Sequence, residues 1–309
     1  MKKFLIFFLL YSFNLHSFND QLNEKQNQNS INLGVDSLNS ISTINFEYNS
    51  FVKLYIDAYL IKDKKLISKM LARSKHYFPI FEQKLDKYNL PLELKYLSVV
   101  ESSLNTRAKS PSGALGLWQF MYPTAKEYGL RVTSYIDERL DPFKSTEAAC
   151  KYFIKLYDLF GDWNLVLAAY NGGPGYIQRK MIATGHDNYW DLRPHLRTET
   201  RNYVPKFIAI TYLMEFHTNY KFPIDTLDII LLNSDTIQID HQTNYKILSK
   251  LTCLSEDDIS YYNPSFKNNI IPKGSTIVLP KSNIDDYYLN YQEYKVFTQA
   301  VDDKEILLD

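Results

Sequence analysis

From Phe46 onward the apolar positions recur at helical spacing. Phe51, Leu54, Tyr55, Ala58 and Tyr59 predict an amphipathic helix, and Lys65 to Leu90 repeats the pattern. Asn89-Leu90-Pro91 reads as a helix start, because a proline in the first turn loses no hydrogen bond. The segment after it, LELKYLSVVES, puts Leu94, Leu97 and Val100 on one side and brings Glu101 into the last turn. The chain then turns polar and glycine-rich through SPSGALG, and a short helix is expected through LWQFM and PTAKEYGL. Asp141-Pro142 opens another helix, with Ala149, Phe153, Leu156 and Phe160 on its apolar row and Gly161 at its end. Asn164 to Tyr170 predicts a compact apolar helix stopped by Gly172-Gly173, and Pro174 begins one more. The last strong helical pattern runs from about Thr198 to His217, carried by Tyr203, Phe207, Ile210 and Met214. Pro205 lies inside it, so a kink or a later start is expected there.

After Phe222 the texture changes. IDTLDIILL and DTIQID alternate as strands do, Asn244 to Tyr261 reads as helical, and NPSFKNNIIPKG followed by STIVLP reads as a turn and a short strand. A small α/β unit therefore follows a helical domain. From Lys281 the chain is polar and tyrosine-rich, with no clear element.

The beginning changes where the protein is expected to work. MKKFLIFFLLYSFNLHS has a charged start at Lys2 and Lys3, an unbroken apolar run from Phe4 to Tyr11, and small residues Ser12 and Ser17. These are the parts of a secretory signal, too short to span a bilayer comfortably. The expectation is an exported protein of the periplasm or cell envelope. An uncleaved anchor and a loose membrane association stay open. Residues 18–45, rich in Asn, Gln and Ser, are expected to form a flexible leader.

Charge and cysteine content narrow the classes further. Lys plus Arg equals Asp plus Glu, 35 each, so no global charge points to nucleic acid. The 25 Tyr suit a carbohydrate or peptide cleft, and also follow from a composition rich in Asn, Lys and Ile. Cys150 and Cys253 have no neighbouring histidine at metal-ligand spacing; a bridge between them is possible in an oxidising compartment but not implied by their spacing, and both read as ordinary buried or half-buried thiols.

Candidate chemistry centres on Glu101. The twenty-five residues after it, Ser102 to Lys126, contain no Asp or Glu. A general acid working near neutral pH must hold its proton more tightly than an ordinary carboxyl does. Leu97, Val99 and Val100 would desolvate the anion, and a helix C-terminus disfavours it. A glycosidase of the usual kind places a second carboxylate across the bond. None is evident, although Asp137, Asp141, Asp187 and Asp191 could approach in the fold.

Four motifs stand in order: Glu101-Ser102, SPSGALGLWQFM at 110–121, AAYNGGPG at 168–175 and ETRNYVPKF at 199–207. Together they resemble the catalytic domain of the soluble-lytic-transglycosylase superfamily, which is goose-lysozyme-like. GLWQFM and DERLDP (137–142) are similar to the membrane-bound murein transglycosylase D branch. The resemblance covers about residues 75–218. It implies a mainly α protein and cleavage of the β-1,4 bond between N-acetylmuramic acid and N-acetylglucosamine in peptidoglycan strands. One glutamate would act, with no cofactor and no metal. Glu101 is the residue this assigns as catalytic. Ser110, Ser112, Gly116, Gln119, Tyr170, Asn171 and Tyr203 are those assigned to substrate binding.

Several of these have plainer alternatives. The serines could cap their loop, and Asn171 could cap its helix. Gln119 lies between Trp118 and Phe120, which suggests a cleft wall with one polar group. Trp163 reads as core, while Trp190 suits core or sugar stacking equally. Asn263-Pro264 and Gly274 to Pro280 resemble a degenerate LysM module, whose implied ligand is the glycan strand. The expected division is 1–17 signal, 18–45 leader, 46–220 lysozyme-like domain, 221–285 LysM-like module and 286–309 tail. Two rival functions remain, a water-using muramidase of the same fold and a non-catalytic peptidoglycan-binding protein.

Overall fold

The computed structural model describes residues 28–223 and 233–306. The signal segment and the IDTLDIILL strand therefore lie outside the described residues. In chain order the helices are α1 (28–41), α2 (Ser50–Lys62), α3 (Lys64–Lys87), α4 (Lys95–Ser102), α5 (Tyr122–Glu127), α6 (Pro142–Phe160), α7 (Trp163–Gly172), α8 (Pro174–Thr184), α9 (Tyr189–Leu192) and α10 (Thr198–Glu215). Strands β1 (Ser234–Gln238) and β2 (Thr243–Asn244) precede α11 (Tyr245–Thr252) and α12 (Glu256–Tyr262). Strands β3 (Ile270–Ile271) and β4 (Thr276–Pro280) lead into α13 (Lys281–Ile306). The chain forms two compact units. One holds the described residues up to Lys62 together with Phe160–Lys221, and the other joins Asp63–Leu159 to the residues after Phe222.

In the first unit α7 and α10 are the central helices. Trp163 to Ala169 are buried on every side of α7, and Asp162 caps its start by accepting the Leu165 N–H at 2.7 Å. Trp163 is core, as expected. The stretch expected as flexible leader instead contains α1. Its Ile31, Val35 and Leu38 are buried at helical spacing, and Gly34 lies so close to α10 that a Cβ there would sit 2.7 Å from the Tyr212 ring. Polar neighbours concealed a three-residue apolar stripe. In α2 the buried row is Val52, Ile56 and Tyr59, one position round from the row the sequence suggested. Phe51 is instead half-exposed, with the Arg193 guanidinium 3.4 Å above its ring.

Helix α10 runs unbroken through Pro205. A proline cannot donate to the carbonyl four residues earlier, here that of Arg201. The buried Tyr189 hydroxyl donates to that carbonyl at 2.7 Å. This replaces the lost bond, so neither break nor late start is needed. Burial pushes the Tyr189 hydroxyl pKa up, which keeps it a donor. Tyr189→Phe is expected to orphan the Arg201 carbonyl and cost about 1–2 kcal/mol of stability, read from urea unfolding. An unchanged midpoint would refute this account.

In the second unit Trp118 packs between α3 and α6. This ring is fully buried, packs on Phe81 and Phe153, and donates its indole N–H to Thr146 Oγ1 at 2.9 Å. The C-terminal module of the same unit pairs β1 antiparallel with β4, Ile237 opposite Ile277, and β2 with β3. Ile237, Leu248, Leu251, Ile259, Ile277 and Leu279 form its core. The helix expected over 244–261 is two helices. Cys253, at φ +57°, ends the first, and a capping box of Ser255 and Asp258 starts the second. Buried Asn263 acts as an extra strand residue, accepting from Val278 N–H at 2.8 Å and donating to its carbonyl at 2.8 Å. Residues 281–306, which showed no clear element, form α13. It crosses the expected 285/286 boundary without a break and buries Tyr287 on the module. Both thiols are free; Cys150 is buried as expected, whereas Cys253, expected to be at least half-buried, is exposed in the left-handed turn that ends α11.

Candidate active site

Glu101 is half-buried in the last turn of α4. Ser103 (φ +52°) and Leu104 (φ +57°) then end the helix in left-handed backbone. Two neighbours on the helix, Ser98 and Ser102, donate from their hydroxyls to the Leu117 carbonyl at 2.9 and 3.0 Å. The glycine-rich loop is thus fastened to the end of the helix that carries Glu101. Arg73 Nη1 donates to the Ser103 carbonyl at 3.0 Å. A cation therefore meets this helix C-terminus.

The loop itself is a network of short bonds. Ser110 Oγ accepts the Ala114 N–H at 2.9 Å and lies 2.9 Å from Ser112 Oγ. Ser110, half-buried, caps the loop through the Ala114 N–H, and exposed Ser112 meets it through its hydroxyl. Residues 116–119 are a turn closed by a bridge between Leu115 and Phe120, so the expected helix does not extend through 117–121. Within that turn Gln119 takes φ +48°, uncommon for a residue with a side chain. Its amide donates to the Ala108 and Gly116 carbonyls at 3.0 and 2.8 Å, which steadies the conformation. Trp118 and Phe120 are 0% and 2% exposed. They are core residues that anchor the turn from inside, and the aromatic cleft wall inferred from their spacing is not formed.

Asp137, which the sequence offered only as a possible second carboxylate, pairs with Arg139, which sequence reasoning passed over. They form a two-point ion pair, Nε to Oδ1 at 2.9 Å and Nη2 to Oδ2 at 2.8 Å, with Asp137 2% exposed. Arg139 Nη1 reaches on to the Gly113 and Phe120 carbonyls at 3.2 and 3.3 Å, one near each end of the loop. An Asp two residues before an Arg in DERLDP was the signal available. Asp141 accepts the Phe143 and Lys144 N–H groups at the start of α6. Its carboxyl is pushed up in pKa, chiefly by burial. Glu138 is bound by Arg131 and Lys144. These carboxylates are committed to structure, so neither Asp137 nor Asp141 is placed to serve as a second catalytic group.

The other unit carries the third and fourth motifs. Helix α7 ends at Gly172 with Gly173 (φ +88°) as its cap, so Asn171 is not the cap residue. Asn171 Oδ1 accepts from the Thr200 hydroxyl at 2.9 Å, and its Nδ2 donates to Glu199 at 3.3 Å. Arg197 donates to Thr200 Oγ1 at 3.2 Å and to the Gly172 carbonyl at 3.1 Å. A Cβ on Gly172 would lie 3.1 Å from Thr200, so these two motifs are fitted closely together. Tyr170 is half-buried, and Tyr203 is buried. Trp190 is half-buried, with its indole N–H enclosed. Among the described residues, no group of three or more His, Cys, Asp and Glu could hold a metal ion. None of the described helices is long and apolar enough to cross a membrane.

The described residues are mainly helical, and a small strand-containing module lies at their C-terminal end. Residues 78–192 match the transglycosylase SLT domain, and 233–296 match the LysM-like domain of lytic transglycosylase MltD. The chain therefore carries an SLT transglycosylase domain and an MltD-type LysM-like domain. Among curated relatives, membrane-bound lytic murein transglycosylase D of Escherichia coli (strain K12) is 33% identical over 174 residues, 54% of this chain and 38% of that protein. Membrane-bound lytic murein transglycosylase F of Pseudoalteromonas translucida is 36% identical over 116 residues, 35% of this chain and 23% of that one. The chain thus spans well under half the length of either relative. Among solved structures, the 70 kDa soluble lytic transglycosylase of Escherichia coli is 25% identical, with a TM-score of 0.39 over 48% of this chain and 25% of that one.

Proposed function

We propose that this protein is a peptidoglycan lytic transglycosylase with Glu101 as its catalytic residue. The observation that carries the reading is a single half-buried glutamate on α4, with the SPSGALGLWQF loop hooked to the same helix end by Ser98 and Ser102. Glu101 protonates the glycosidic oxygen as the bond to the muramyl C1 breaks. The resulting carboxylate takes the proton of the muramyl 6-hydroxyl, whose oxygen closes a 1,6-anhydro ring on C1. No water is consumed. The nucleophile belongs to the substrate, so the second carboxylate of an ordinary glycosidase has no task. The commitment of Asp137 and Asp141 to structural bonds supports this over the muramidase alternative.

Ser110, Ser112, Gly116 and Gln119 are proposed to bind the glycan from the loop. Tyr170, Asn171 and Tyr203 are proposed as substrate-binding residues of the other unit. The relatives' names, and the charged and apolar start of the chain, support a cell-envelope setting after export. There the partner is the peptidoglycan strand and the role is wall turnover, with the LysM-like module holding glycan.

Product mass tests the reading. Digestion of purified sacculi should release muropeptides with anhydro ends, lighter by one water than the reducing ends a hydrolase leaves. Exclusively reducing ends would instead establish the muramidase.

A further inference from the structure

The C-terminal module is joined to the helical part of its unit by main-chain pairing. Residues 132–137 fold back on themselves through a bridge between Val132 and Asp137, and Phe266 of the module pairs antiparallel with Ile136. The Asp137 N–H donates to the Ser265 carbonyl at 2.8 Å, and the Lys267 N–H to the Tyr135 carbonyl at 2.7 Å. Side chains extend the seam. Lys267 Nζ donates to the Thr133 carbonyl at 2.9 Å, and Asn268 Nδ2 to that of Ser134 at 3.3 Å. Bonds of this kind, added along an exposed strand edge, are how an extra strand docks.

The docked edge continues into the loop. Asp137 takes its backbone bond from the module and, 3.7 Å from Lys267 Nζ, shares its carboxylate between that cation and Arg139. Arg139 in turn holds the Gly113 and Phe120 carbonyls. Its own carbonyl closes over Gly116, where a Cβ would come within 2.0 Å. An unbroken series of bonds therefore runs from Ser265 and Lys267 through Asp137 and Arg139 to the segment carrying Ser110, Ser112, Gly116 and Gln119.

We propose that the LysM-like module sets the glycan-binding loop through this series, with Lys267 as a positioning residue, and so governs the rate of bond cleavage as well as attachment to the wall. The inference rests on the reading of that loop and Glu101 as the active site. A pure tether would change only the affinity for long strands. A positioning module changes turnover on a fragment too short to reach it, because small displacements of binding groups are costly in rate.

The test uses the full chain with Lys267→Met/Asn268→Ala, and Lys267→Arg as the conservative control. Lys267 is exposed enough, at 36%, for the fold to survive. Deuterium exchange should quicken roughly tenfold at the amides of Ala114, Leu115 and Phe120 in the double variant, since loosening a segment raises its local opening. Lys267→Arg should retain wild-type exchange. With a tetrasaccharide of alternating N-acetylglucosamine and N-acetylmuramic acid, kcat should fall roughly tenfold with KM little changed. Wild-type exchange in the loop, or a defect seen on sacculi but not on the tetrasaccharide, overturns the proposal. Quickened exchange in a protein whose wild type releases no anhydro product would leave the coupling standing and refute the transglycosylase reading instead.

Discussion

Glu101→Gln should bind purified sacculi as the wild type does and release anhydro-muropeptides about 10²–10⁴-fold more slowly, the range a positioned acid–base group supplies. The substitution keeps the shape of the side chain but removes the transferable proton. Glu101 is half-buried at a helix end whose termination is set by Ser103 and Leu104 and whose loop attachment is made by Ser98 and Ser102. The amide matches the carboxyl in size and shape, so the loss should fall on kcat. The measurement is muropeptide release by mass spectrometry beside a sacculus pull-down. Release at the wild-type rate would show that another group is the acid. Loss of binding together with release would point to misfolding, which a thermal melt separates.

Gly116→Ala is the second large effect expected. Gly116 has φ +85°, and an added Cβ would stand 2.0 Å from the Arg139 carbonyl oxygen and 2.9 Å from its carbon. The obstacle is backbone fixed by a buried ion pair, so it cannot swing aside as a side chain could. Left-handed strain of about 1–2 kcal/mol and overpacking of about 1–3 kcal/mol act together, for a loss of about 3 kcal/mol or more. Gly113→Ala is the internal control. Its φ is +90°, but nothing lies within 4 Å of its missing Cβ, so only the backbone strain of about 1–2 kcal/mol applies. Denaturant midpoints for the pair should therefore differ clearly. Equal losses would mean that Arg139 yields and that the clamp on this loop is soft.

The contrast between these glycines shows how far the sequence reads on its own. SPSGALG announces a loop with close backbone approach, and both glycines do take positive φ. Which of them is crowded depends on Arg139, more than twenty residues later. The same limit governs Trp118. Its neighbours in sequence suggested a cleft wall, yet Phe81, Thr146 and Phe153 close round it. Helix spans were legible where a period of 3.6 residues continues for several turns, as in α6 and α10. The buried face of α2 was misread by one position, because Phe51 and Leu54 are apolar yet outward-facing. Helix α1 was missed, since three buried aliphatic side chains among Asn, Gln and Ser give a stripe too sparse to outweigh a polar composition.

What the sequence determined by itself is the inventory of chemistry and its order. That inventory is one acid at the end of an apolar helix, a glycine-rich loop, two later motifs, and a turn-and-strand module. These follow from local rules of spacing, capping and turn formation that a short stretch satisfies alone. Tertiary structure decided how the polar groups are used. Asp137 and Asp141 became anchors, the Gln119 amide was committed to backbone carbonyls, Tyr189 repaired the gap left by Pro205, and the C-terminal module joined the hairpin that holds the loop. A buried hydrogen bond needs a partner at the right distance, and that partner is supplied by packing between segments far apart in the chain.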